Sequence, residues 1–316
     1  MMLKTRTCTL ALALFTMTVL TPANALLGNS TAKAKAATAI DDFQAMIEKK
    51  APWGIYDAAD WSAADGKLHE GSKNGKEVVS EGTIKHGSGV GSGAKGNVAF
   101  ISGSTESRLY WPEGSIPTSF TVCSLTRYTG GANRGILMGT YGGWIHGHWE
   151  NGAGAVYYEE WKTDWEQREK GTTSWAVVCS SNGLPTPQNV LYNGAAVGFR
   201  AGGPGGNTLS VNPTTGTYQE PSDWGLSFVA IWDQHLTAEE MQTASDALME
   251  YLATGRSLVV ASTDATPSSN TITTVSGPST VSATTMGPCN VMTTTIASNA
   301  TTTTTTTTVN CPEEAA

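Results

Sequence analysis

Between Trp53 and Trp232 the chain falls into short apolar runs of strand length, each stopped by Gly, Asn, Ser or Pro. The clearest are NVAFI (97–101), ESRLYW (106–111), SFTVCSLTRY (119–128), RGILMGT (134–140) and GGWIHGHW (142–149). They continue with GAVYYEEW (154–161), TSWAVVCS (173–180), NVLYNG (189–194), NTLSVN (207–212) and LSFVAIWD (226–233). About ten strands with turn signals at such regular intervals predict an antiparallel β-sandwich or barrel. Glycine is plentiful at the breaks, where tight turns and bulges need it. One all-β domain over residues 53–256 accounts for the pattern.

Helical periodicity occurs at two places. AIDDFQAMIEKKA (39–51) spaces Ile40, Phe43, Met46 and Ile47 on one face, with acids early and lysines late, as a helix dipole prefers. It falls in a lead-in of residues 26–52. LTAEEMQTASDALMEYLATG (236–255) predicts a helix that closes the domain. Thr237 and Glu240 form a capping box, Gly255 supplies the stop, and Met241, Ala244, Leu248 and Leu252 form the buried stripe.

The two ends have different compositions from the middle. Residues 1–25 have Lys4 and Arg6, then an apolar run, then Ala23-Asn24-Ala25, the pattern of an export signal. The run is shorter than the ~20 residues of a membrane span, so no stable membrane insertion is expected. Loss of that leader's two basic residues takes the formal charge from −8 to −10, which leaves no electrostatic footprint for nucleic acid. Residues 257–316 lack aromatics, and eight consecutive threonines occupy 301–308. A disordered, O-glycosylated stalk is expected there, because little apolar surface offsets the cost of ordering. Sequons at Asn29 and Asn299 flank the domain. Past the leader, Cys123, Cys179, Cys289 and Cys311 allow three pairings. Cys123–Cys179 and Cys289–Cys311 are favoured, since each pair lies within one compositional segment. No CxxC spacing supports structural zinc. A secreted, extracellular protein is expected.

SFTVCSLTRY, TSWAVVCSSNG with the later VLYNG, and GLSFVAIWDQHLTAEEM together resemble the concanavalin A-like lectin/glucanase superfamily, in its laminin-G-like and pentraxin-like branch. The resemblance covers residues 95–254. It implies a two-sheet jelly roll in which Cys123 and Cys179 bridge neighbouring strands. Its calcium chemistry is not carried over: VGFRAGGPGGN (197–207), after the hairpin, has no acid, whereas calcium takes six to eight oxygens. No cofactor and no metal are expected, calcium staying open as an alternative although pentraxin-type ligands are not found. The glucanase pattern of closely spaced carboxylates is missing too. Glu159 and Glu160 are adjacent, so on a strand they would face opposite ways. EQREK (166–170) looks like a solvated charged turn, and no GxSxG elbow occurs. No enzymatic activity is expected, a glycoside hydrolase being the weaker alternative.

GGWIHGHWENG (142–152) raises the question of a site. On a strand, Trp144, His146 and His148 share one face. An Asn151-Gly152 turn would then bring Tyr158, Glu159 and Trp161 beside them. Three readings follow. The group could be core packing, or a sugar platform in which rings stack on pyranose faces while His and Glu bond hydroxyls. It could also be a metal site that Glu159 or His235 completes. The gathering of Trp144, Trp149, Trp161, Trp165 and Trp175 in one stretch suits the platform. The leading expectation is a secreted, non-catalytic module that binds a glycan or a cell-surface or matrix ligand. The rival is a structural or adhesive protein that uses the sandwich for protein contacts.

Overall fold

Alternation along the strands builds two antiparallel sheets. In the computed structural model, residues 39–71, 76–215 and 220–259 are described, together with backbone strands between Ile272 and Asn310. Strands are numbered in chain order. The first sheet runs β15 (Ala195–Ala196), β14 (Val190–Tyr192), β13 (Ala176–Ser181), β8 (Thr121–Tyr128), β17 (Trp224–Trp232), β6 (Ala94–Gly103) and β5 (Lys85–Gly91). Strand β1 (Gly54–Asp57) also pairs with β17, beyond the end of its β6 pairing. The second sheet runs β12 (Glu169–Lys170), β11 (Gly152–Tyr158), β10 (Trp144–Trp149), β9 (Leu137–Gly139) and β16 (Leu209–Val211). It continues through β7 (Arg108–Tyr110), β4 (Val78–Glu81), β3 (Lys67–Leu68) and β2 (Trp61–Ser62). All ten expected runs carry strands. The strands β1 to β5, β12 and β15 are additional; among them Lys85–Gly91 is too rich in Gly to show an apolar pattern.

Two cores result, one on each side of the first sheet. Val122, Tyr128, Val178, Leu226, Val229 and Ile231 pack between the sheets. Their neighbours Cys123, Leu125, Val177, Cys179, Phe228, Ala230 and Trp232 face a helical layer. Strands β8, β13 and β17 are thus buried on both faces, which is why their sequences are almost unbroken apolar runs. The helical layer is α1 (39–49) and α2 (Ala238–Thr254). In α1, Phe43 meets Phe228 and Trp232 edge-on. The amide of Ile40 donates to Glu250 Oε2 at 3.0 Å, and Trp232 Nε1 donates to Lys50 O at 3.0 Å. The capping box of Thr237 with Glu240 is present, and Gly255 stops α2 at φ 72°. That glycine passes β6 so closely that a Cβ on Gly96 would lie 2.0 Å from Gly255 N.

Cys123 and Cys179 sit directly opposite in the β8–β13 register and are disulfide-bonded, under the helical layer. No helix among the described residues is long and apolar enough to cross a membrane.

Residues 260–316 form a separate unit. Its described part is an antiparallel meander of β18 (Ile272–Ser276), β19 (Ser279–Met286), β20 (Cys289–Ala297) and β21 (Thr303–Asn310). β-Branched threonine suits extended backbone. Cys311, Asn29, Asn299 and the leader lie outside the described residues.

Candidate functional site

The hairpin β10–β11 presents two aromatic faces, and the structure separates them. Trp144 pairs with Tyr158, Ile145 with Tyr157 and His146 with Val156. Gly154 (φ 82°) is an extra residue in β11, so that Gly147 opposes Ala155 while His148 opposes Ala153. The turn is Glu150-Asn151, with φ 45° and 62°, and Trp149 and Gly152 close it. The expected Asn151-Gly152 turn is thus displaced by one residue. Asparagine still occupies a left-handed position, as it tolerates well, and Gly152 instead makes room: a Cβ there would lie 3.4 Å from Arg168 Cβ.

The inner face is core. Trp144, His146, His148 and Tyr158, which the sequence offered as ligand-binding residues, are all at most 2 % exposed. They point toward the first sheet, so no ligand reaches them. Trp144 stacks on Tyr158 at 5.0 Å and on His146 at 5.7 Å. His146 Nε2 donates to Val178 O at 3.2 Å, which fixes the tautomer. Its Nδ1 then accepts, with Ser180 Oγ at 3.0 Å and Tyr158 Oη at 3.1 Å, and those two hydroxyls bond each other. Both ring nitrogens of His146 are occupied, leaving no lone pair for a metal. His148 Nδ1 lies 3.2 Å from Thr126 Oγ1, and its ring meets Tyr128 edge-on at 4.7 Å. Burial pushes the imidazole pKa down to about 4 for His146. For His148 burial, helped by His146, pushes it to about 3. Burial also drives the Tyr158 phenol well above its usual range. These are neutral core groups, hydrogen-bonded except at His148 Nε2, which is buried without a partner. His235 is elsewhere, its Nε2 3.0 Å from Asn182 Oδ1, and no cluster of three metal-ligating side chains occurs among the described residues.

The outer face is open, because the helices cover the other sheet. Here an open cleft of about 650 Å³ is lined by Trp149, Tyr157, Trp161, Trp165, Phe199 and Arg168, with acids around them. Past Tyr158 the chain reverses at Glu159, whose φ is 59°, and Trp161 bridges back to Tyr157. Strand alternation ends at that reversal. Glu159 and Glu160 therefore both border the cleft, contrary to the opposite-face expectation. Trp161 lies 4.9 Å from the Tyr157 ring and 6.3 Å from Trp149, tilted by 59° and 54°. Of the six expected ligand-binding residues, Glu159 and Trp161 reach the cleft. Trp175, by contrast, belongs to the helix-side core.

Arg168 is what the charged appearance of EQREK concealed. It is 5 % exposed, not solvated. Asp164 caps the one-turn helix Trp165–Gln167, and the chain then delivers Arg168 beneath Trp161. Its guanidinium carbon lies 3.8 Å from the Trp161 ring centre and 5.1 Å from Trp165. Nη2 donates to Thr163 O at 3.2 Å, while Nε and Nη1 are buried without partners. Burial lowers its pKa to about 10, against the pull of Asp164 and Glu150. The ring faces stand in for hydrogen bonds, an arrangement worth roughly 0.5–2 kcal/mol. Its one sequence signal is an arginine amid Trp161, Trp165 and Tyr157. Lys170 covers the other indole, 4.7 Å from the Trp165 ring. Phe199 and Arg200 come from the Gly-rich segment 197–207, and Phe199 N donates to Lys162 O at 2.7 Å. Glu160 lies 3.8 Å from Arg200 and 3.9 Å from Lys162, and Glu150 2.9 Å from Arg134.

No family model and no curated protein match the chain. Among solved structures it resembles domain 4 of AbnA, an extracellular GH43 arabinanase from Geobacillus stearothermophilus, in complex with arabinotriose. Identity is 13 % and the TM-score 0.43, over 61 % of this chain and 97 % of that one. Trypanosoma rangeli sialidase in complex with sialic acid aligns at 12 % identity and a TM-score of 0.37, over 64 % of this chain and 33 % of that one. The binding domain of Paraclostridial Mosquitocidal Protein 1 aligns at 10 % and 0.41, over 79 % and 71 %. Similarity this remote carries no functional information.

Proposed function

We propose that the protein is a secreted, non-catalytic glycan-binding module whose site is the cleft on the outer face of β10–β11. One observation carries this reading: Trp149, Tyr157, Trp161, Trp165 and Phe199 meet in a single open cleft beside the carboxylates of Glu150, Glu159, Glu160 and Asp164. Ring faces match the apolar faces of sugars, and carboxylates accept hydrogen bonds from hydroxyls. The absence of catalysis is part of the proposal. The strongly perturbed Tyr158 and histidines lie in the core rather than beside the cleft. The same reading groups the chain with the concanavalin A-like lectins, on the Cys123–Cys179 bridge between adjacent strands and the passage from β17 into α2. A glycan array tests it. Wild type should bind at least one polysaccharide class, and Trp161→Ala should lose about tenfold or more in affinity while retaining its fold. Silence across the array, with and without calcium, would sink the proposal; turnover of a bound glycan would show an enzyme instead.

A further inference from the structure

We propose that the cleft takes a single solvated glycan chain and excludes the flat face of a packed polysaccharide. The inference rests on the glycan-binding reading and narrows its ligand class. A packed polysaccharide presents coplanar sugar faces, and coplanar rings are needed to lie along it. Here Trp161 is inclined 54° to Trp149 and 59° to Tyr157, so a flat surface lying on Trp161 lies on neither of the other two. The rings also line a recess rather than a plane, of a size (about 650 Å³) that suits a few groups of one ligand. A lone chain whose successive sugars rotate about their linkages can present a face to each ring in turn. Its hydroxyls are free to donate to Glu159 and Glu160, whereas in a packed solid those hydroxyls bond neighbouring chains.

The inclination is built in. Arg168 is wedged 3.8 Å under Trp161 and 5.1 Å from Trp165, held to Thr163 O, and buried. Turning Trp161 out of its present plane would uncover a guanidinium that has two unpartnered nitrogens. Arg168 is accordingly a positioning residue for Trp161, and the wedge is preorganised for its ligand.

The experiment uses the full secreted chain. Native gels containing soluble laminarin, xyloglucan or arabinan measure retardation, and suspensions of microcrystalline cellulose or crystalline chitin measure depletion. Expected is retardation in a soluble-polymer gel, relieved by oligosaccharides of that polymer, with no depletion by the crystals. Depletion by crystals without retardation overturns this inference and leaves glycan binding standing. Neither effect overturns both. For the wedge, Arg168→Lys keeps the charge and removes the planar stack; about tenfold weaker binding is expected, with an altered ligand-induced tryptophan emission shift. Wild-type affinity and emission in that variant would remove Arg168 from the site. Should it fail to fold, Trp149→Ala, which removes the ring inclined 54° to Trp161, should weaken binding by a similar factor, and unchanged affinity there counts against the wedge.

Discussion

The two faces of the β10–β11 hairpin have nearly the same residue types and opposite environments. Inside, Trp144 stacks on Tyr158 and His146, and those two hydrogen-bond each other, all three being buried. Outside, Trp149, Tyr157 and Trp161 meet at angles around a recess, braced by a cation. The difference teaches that aromatic content does not distinguish a core from an open cleft. What covers the face does: the opposing sheet closes one side, while the helices lie on the far sheet and leave the other open.

The largest expected effect tests the closed face. Trp144→Ala removes a fully packed indole and should cost about 3–5 kcal/mol, read as a large fall in melting temperature or as insoluble protein. Trp161→Ala should cost only about 1 kcal/mol, most of it the cation–π contact, yet remove glycan affinity. If both variants lose stability equally, or if Trp144→Ala folds normally and loses binding, the assignment of faces is reversed.

Acid gives the next effect. His146 and His148 have folded pKa values lowered from 6.5 to about 4 and about 3. As pH falls below 6.5 the unfolded chain takes up protons that the folded chain refuses, so stability declines from there toward pH 4. A shift of that size amounts to roughly 3 kcal/mol for His146 alone. Asp57 works the other way: burial raises its pKa to about 6, so the folded form gains its proton first and offsets part of the loss. Denaturant midpoints measured from pH 7 to 4 should fall, and the His146→Gln, His148→Gln double variant should flatten the curve. An unchanged slope in the double variant would mean that neither histidine is held neutral inside.

Much of this architecture was legible because burial leaves a repeating signature. Strands β8, β13 and β17, covered on both sides, are continuous apolar runs, and α2 announces both of its ends with Thr237 and Gly255. The orientation of β10–β11 was not legible, since either face could have packed inward with equal apolar content. Arg168 was hidden for a different reason. A charged residue between Glu166 and Lys170 has the composition of a solvated turn, and only the reversal at Glu159 brings Trp161 over it. Phe199 and Arg200 join the cleft across a separation in sequence that no local pattern spans.

The smallest effect sharpens the open face at its rim. Phe199 is 53 % exposed, with Arg200 5.4 Å from its ring. Its backbone amide, not its side chain, holds the segment to Lys162. Phe199→Ala should therefore change stability by no more than about 0.5 kcal/mol, as surface substitutions do. A ring that contributes one edge of a sugar contact should still be missed by the ligand, as a loss of about three- to tenfold in affinity by titration calorimetry. Equal affinity would confine the site to the Trp149–Trp161 half of the cleft. A loss of stability comparable to that of Trp144→Ala would mean that the outer face is packed after all, and the contrast between the two faces would disappear.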